Sequence, residues 1–120
     1  MDAQTVETVY LVDDDPAVRK ALSRVLREEG FGVEAFESAE AFLARAENRP
    51  GGCLVLDVTL PGLDGLELQR RLAAAGQTLP IVFVTGHGDI PMSVRAVKAG
   101  ATDFLTKPVP ARALLGAVRS

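Results

Sequence analysis

The 120-residue chain has one cysteine and one histidine, and no apolar stretch near the ~20 residues that a membrane helix requires. Cys53 has no partner for an intramolecular disulfide, which suits a reducing, cytoplasmic compartment. No charged leader followed by an apolar segment is seen at the amino terminus, so export is not expected. Internal repeats, charge blocks and low-complexity tracts are also missing. Basic charge is modest: 13 Lys and Arg stand against 16 Asp and Glu, for a formal net charge of −3. That balance argues against a generic nucleic-acid surface. With 48% hydrophobic residues the chain can fill one two-sided core, so a single domain over 1–120 is expected, with 1–7 as a flexible lead-in.

What the chain does contain is a set of short apolar runs with isolated polar residues at their ends. Thr8–Val12, 53–56, 81–84 and Asp103–Thr106 each predict a buried strand. Asp13, Asp14, Asp57, Thr85 and Lys107 stand at or just beyond those ends. If the strands are parallel, one edge of the sheet collects three carboxylates, a hydroxyl and an ammonium. That edge is where an open α/β sheet places a ligand.

The intervening segments support a parallel arrangement. Between 15 and 29 the apolar residues Val18, Ala21, Leu22, Val25 and Leu26 recur at helical spacing. Asp15 can cap that helix, Pro16 is tolerated at its first position, and Gly30 closes it. A short strand at Gly32–Phe36 precedes a helix opening at 38–41 and ending near 48–52. The turn 61–65, with Asp64 as a turn residue, leads into a helix carrying Leu66, Leu68 and Leu72 that runs to Gly76. Asp89 and Gly100 bracket a fourth helix, and a fifth starts at Pro110. Five strands alternating with five helices through short connections predict crossover topology.

Clustered carboxylates need neutralising. Two like charges ~4 Å apart repel by about 4 kcal/mol at an effective dielectric near 20. A divalent cation removes that cost, and all-oxygen ligation favours Mg²⁺ or Mn²⁺ over Zn²⁺. Lys107 and Thr85 supply an ammonium and a hydroxyl suited to phosphoryl oxygens. A carboxylate can itself be the nucleophile in phosphoryl transfer, and Asp57, without an adjacent acid, is the best candidate.

Four blocks, 11–16 (LVDDDP), 56–65 (LDVTLPGLDG), 84–89 (VTGHGD) and 98–108 (KAGATDFLTKP), resemble the receiver domain of two-component response regulators. They occur in order and with suitable spacing over essentially the whole chain. The resemblance implies a doubly wound, flavodoxin-like α/β fold with five parallel strands ordered 2-1-3-4-5 and five helices. It implies that Asp57 accepts a phosphoryl group from a phosphohistidine on a sensor histidine kinase. Asp14 would ligate Mg²⁺ directly and Asp13 mainly through water, with Asp57 and the Thr59 carbonyl completing the protein ligands. Lys107 would pair with the phosphoryl group, assisted by the backbone N–H groups of Val58 and Gly86. Thr85 and Phe104 would form the relay that carries the signal to the fourth helix, fifth strand and fifth helix. In this family the positions of Thr59 and His87 can tune the lifetime of the phosphoryl group; read alone, His87 is an exposed loop residue.

Segment 85–98 further resembles FixJ-like regulators, whose receivers dimerise through the fourth helix and fifth strand and release a DNA-binding helix-turn-helix. NtrC-like regulators carry a similar segment. On the fourth helix Met92, Ala96 and Val97 are expected to face inward, leaving Val94 outside. DNA binding is expected only through an output domain beyond these residues, making the chain the N-terminal part of a longer regulator. A stand-alone or phosphate-independent receiver-like module is the alternative. A Mg²⁺-dependent phosphatase fits less well, because no cap domain is present and Thr59 occupies the place of a general acid.

Overall fold

The computed structural model describes residues 7–45, 52–77, 79–86 and 90–119. His87, Asp89, the lead-in before Glu7 and most of the segment 48–52 where the second helix is expected to end lie outside them. Strands β1 (Thr8–Val12), β2 (Gly32–Phe36), β3 (Cys53–Asp57), β4 (Ile81–Thr85) and β5 (Asp103–Thr106) alternate with five helices. These are α1 (Pro16–Glu28), α2 (Ala39–Arg45), α3 (Gly65–Ala74), α4 (Ile90–Lys98) and α5 (Ala111–Arg119). All strand pairs are parallel, as the crossover pattern predicts, and the sheet order is β2-β1-β3-β4-β5, as the resemblance implies.

Strand periodicity divides the interior into two layers. Val9 and Leu11 of β1, Cys53 and Val55 of β3, and Val82 and Val84 of β4 face one side, where α1 supplies Leu22 and Leu26 and α5 supplies Leu114 and Ala117. Their neighbours Tyr10, Val12, Leu54, Leu56, Ile81 and Phe83 face the other, against Phe42 of α2, Leu68 and Leu72 of α3 and Ala96 of α4. Every residue of β3 and β4 is buried, which is why both read as unbroken apolar runs. β5 differs from the expectation of a buried strand. It forms the sheet edge, with Phe104 and Leu105 half-buried and Asp103 and Thr106 exposed.

Helix ends follow their capping chemistry. Asp15 accepts the Ala17 N–H at 2.9 Å at the start of α1, with Pro16 behind it. Asp64, expected to serve the turn, is also the N-cap of α3 and accepts the Glu67 N–H at 2.8 Å. Two inward stripes need correction. On α1, Ala21 is exposed and Ser23 is buried in its stead, because the stripe follows Leu22 and Leu26. On α4, Ala96 is buried but Val97, one residue and about 100° further round the helix, is 55% exposed. Val94 is outside, as expected, at 43% exposure.

Candidate functional site

The sheet order sets the position of the site. β1 and β3 are adjacent, but the chain leaves β1 towards one sheet edge and β3 towards the other, so a crevice opens beyond their carboxyl ends. Asp13 follows β1 directly, Asp57 is the last residue of β3, Thr85 is the last residue of β4, and Lys107 follows β5. Four strands thus deliver their terminal polar groups to one place.

One carboxylate oxygen from each of Asp13, Asp14 and Asp57 can be chosen so that all three lie within 4.8 Å of one another. Asp13 is fully buried and Asp57 is 4% exposed, whereas Asp14 faces solvent. Asp13 is tightly held: its N–H donates to Phe36 O at 3.1 Å, its Oδ1 accepts the Asp15 N–H at 2.9 Å, and its carbonyl accepts from Arg19 Nη1 at 2.8 Å. Its Oδ2 lies 2.8 Å from Lys107 Nζ. That contact provides charge without hydrogen-bond alignment, leaving Oδ2 a buried oxygen with no aligned donor. Asp57 is gripped on both oxygens, Oδ1 by the Thr59 N–H at 3.0 Å and Oδ2 by Lys107 Nζ at 3.0 Å. One ammonium therefore bridges two buried carboxylates from β1 and β3.

Burial pushes the Asp57 carboxyl above its ordinary range, reinforced by the charge of Asp13 and opposed by the hydrogen bonds from Lys107 and Thr59. For Lys107, burial pulls the value down, but the close carboxylates of Asp13 and Asp57 outweigh it and hold the ammonium above its ordinary range. Three carboxylates facing one cation leave a net negative crevice, and the misaligned Asp13 Oδ2 is an oxygen with spare coordinating capacity. The donor set is all oxygen. It can hold a hard divalent cation, which takes such ligands and leaves positions for water or a phosphoryl oxygen.

The sequence-predicted residues mostly converge here, with one correction. The Val58 N–H, expected to point at a phosphoryl group, donates to Val84 O at 3.1 Å as part of the β3–β4 pairing. The N–H that reaches the site is that of Thr59, one residue later, because the chain leaves the sheet between the two. Thr85 is completely buried, its carbonyl accepts the Lys107 N–H at 2.7 Å, and Gly86 beside it is exposed. That backbone bond ties the end of β4 to the lysine. Phe104 is half-buried, 6.1 Å from the Phe83 ring centroid and tilted 40° to it. Gly65, in sequence only the end of a turn, has a second role: a Cβ there would lie 2.4 Å from Asp57 O, so the start of α3 crosses the carbonyl of the candidate nucleophile at a separation only glycine permits. Nothing in the local sequence distinguishes that glycine from its neighbour Gly62.

Comparison with known proteins agrees with this geometry. The response regulator receiver domain family matches residues 9–119. Response regulator protein TmoT of Ectopseudomonas mendocina is 53% identical over 112 residues, covering 93% of this chain and 51% of TmoT. Transcriptional regulatory protein FixJ of Bradyrhizobium diazoefficiens is 49% identical over 100 residues, covering 83% of this chain and 49% of FixJ. The structure of response regulator StyR superposes with a TM-score of 0.89 at 51% identity, covering 96% of this chain and 58% of that one. The chain spans about half the length of the curated relatives it matches.

Proposed function

The chain belongs to the response regulator receiver domain family, and from that premise we propose that it is the phosphorylation-operated switch of a two-component regulator, with Asp57 as the phosphoacceptor. As a receiver it is a phosphoacceptor domain, not an independent enzyme. The observation that carries the assignment of Asp57 is its place in the crevice, joined to Lys107 at 3.0 Å and within 4.8 Å of Asp13 and Asp14.

The donor is a phosphohistidine on a sensor histidine kinase. An Asp57 oxygen attacks phosphorus, the P–N bond breaks, and the imidazole nitrogen leaves with the electron pair and is protonated by solvent. Lys107 holds the attacking carboxylate in place and faces the phosphoryl charge, while the Thr59 and Gly86 N–H groups and the Thr85 hydroxyl receive phosphoryl oxygens. Asp14, Asp57 and the Thr59 carbonyl, with Asp13 mainly through water, would hold Mg²⁺, or Mn²⁺ in its place. Bound there, the ion would offset the carboxylates and withdraw charge from the phosphoryl group. Engagement of Thr85 favours an inward Phe104, and this population shift alters the α4–β5 face.

The exposed Val94 and Val97 of α4 suit that face to pairing with a second copy after phosphorylation. Residues 1–120 would then be the receiver part of a FixJ-like transcriptional regulator whose output domain binds DNA. No helix among the described residues is long and apolar enough to cross a membrane.

The test is intact mass after incubation with a small phosphoryl donor such as phosphoramidate. Gain of one phosphoryl group that requires both a divalent cation and Asp57, and is lost in Asp57→Asn, is expected. A folded wild-type chain that gains no phosphoryl group in Mg²⁺ overturns the reading.

A further inference from the structure

The β3–α3 loop, 58–64, carries Thr59 and ends at the cap of α3. Its two ends are secured inside the domain. Thr59 N–H binds Asp57 Oδ1 at 3.0 Å, Gly65 N–H binds Val58 O at 3.0 Å, Leu60 is buried, and Asp64 caps α3. Its tip, 61–63, is held differently. Among the described residues the one hydrogen bond on that tip runs from the Leu63 N–H to Oε2 of Glu40, 3.0 Å away and 23 residues earlier in the chain.

Glu40 lies in the first turn of α2, a helix opened by Ser38, whose Oγ accepts the Ala41 N–H at 3.0 Å. Its carboxylate reaches across to the loop and fits closely. Gly62 adopts φ +75°, and a Cβ at that position would lie 2.7 Å from Glu40 Oε2. The glycine therefore serves two ends: it takes a left-handed turn, and it leaves room for the carboxylate to approach the next N–H. The Leu63 N–H is also the largest cause that holds the Glu40 carboxyl below its ordinary pKa, so the ionised form is the one that is held.

We propose that Glu40 is a positioning residue for the metal end of the site: by accepting the Leu63 N–H it keeps the β3–α3 loop in the shape that presents Thr59 to the cation. This rests on the ligand set given under the proposed function. Glu40 does not touch the cation. It acts through the loop, as outer partners of a metal site do.

Direct Mn²⁺ binding to the full chain, followed by electron paramagnetic resonance, tests it with Glu40→Ala and Glu40→Gln. Loss of an outer partner commonly weakens metal binding by about 10–100-fold, and an exposed partner belongs at or below the low end, so Glu40→Ala is expected to weaken Mn²⁺ roughly three- to tenfold. Glu40→Gln keeps an acceptor oxygen while losing the charge, and is expected to stay within about twofold of wild type. Hydrogen exchange of the Leu63 amide should accelerate in Glu40→Ala and stay near wild type in Glu40→Gln. Phosphorylation at saturating Mn²⁺ should match wild type in both, which separates weakened metal binding from damaged chemistry.

Equal Mn²⁺ affinity in wild type and Glu40→Ala overturns the proposal and leaves the ligand set standing. Equal weakening in both variants also overturns it, because charge and not the hydrogen bond would then be responsible. A wild-type chain that binds no Mn²⁺ fails the ligand set itself, and the proposal with it.

Discussion

Replacing Lys107 with methionine removes the cation shared by Asp13 and Asp57 while keeping most of the side chain's volume. The two contacts are 2.8 and 3.0 Å long, and both carboxylates are buried. At an effective dielectric near 20 each attraction is about 5–6 kcal/mol, offset in large part by the cost of taking the charges out of water. Breaking a buried pair by deleting one partner typically costs about 3–5 kcal/mol. The Lys107 side chain is 21% exposed, and the open side of the crevice lets solvent share the compensation, so about 2–4 kcal/mol is expected here. For a domain of this size that lowers the melting temperature by roughly 10 °C.

The assay is urea unfolding in EDTA, read as a shift of midpoint at constant slope. Adding Asp57→Asn to Lys107→Met should recover half or more of the loss, because one of the two uncompensated charges is then gone. The pH dependence has a definite sign. The lysine value is raised in the folded state, so its stabilisation is fully present below 10.5 and fades as pH rises through the higher folded value. The gap between wild type and Lys107→Met should be level from pH 7 to 9 and narrow above that range. A loss under about 1 kcal/mol, or no recovery in the double variant, would refute the view that this ammonium holds the cluster together.

Three further outcomes are expected. Gly65→Ala drives a methyl towards Asp57 O, 2.4 Å from the position it would occupy, and should cost about 1–3 kcal/mol of stability and slow phosphorylation, read by urea unfolding and phosphoryl incorporation. Burial raises the Cys53 thiol from 9.0 to about 11, so its thiolate population at pH 8, and with it native-state alkylation, should fall about 100-fold below that of a free thiol, which timed mass spectrometry with iodoacetamide would measure. Asp64→Ala deletes the cap of α3 and should lower stability by about 1 kcal/mol in urea, with Asp64→Asn nearly neutral.

Much of this molecule is legible in the chain because strands and helices announce themselves by period. The runs at 53–56 and 81–84 are buried on both faces, so every residue is apolar and the polar residue that ends each run stands out. Asp57 and Thr85 could be placed for that reason. What could not be read was decided by neighbours distant in sequence. Ser23 is covered and Ala21 is not, because the sheet meets α1 along Leu22 and Leu26. Val97 lies outside although its type suggests otherwise. Whether the Val58 or the Thr59 N–H enters the crevice depends on which of them the adjacent β4 has already taken, a one-residue phase that composition does not encode. The reach of Glu40 to Leu63 leaves no mark at either position.

The unequal grip on the helices has a mechanical side. α1 sets two leucines into its layer, whereas from Pro91 to Lys98 the buried side chain of α4 is the methyl of Ala96, with Met92 and Ser93 partly buried beside it. The carbonyl of that same residue accepts a hydrogen bond at 3.1 Å from Gln69 Nε2, a buried amide on α3. At Ala96, α4 is held by one small apolar group and one directional bond. Tilting the helix about Ala96 uncovers only a methyl group at that residue, while sliding it away there breaks a bond that nothing apolar can replace. The fastening at Ala96 resists translation more than rotation, as a rivet does through a loose plate.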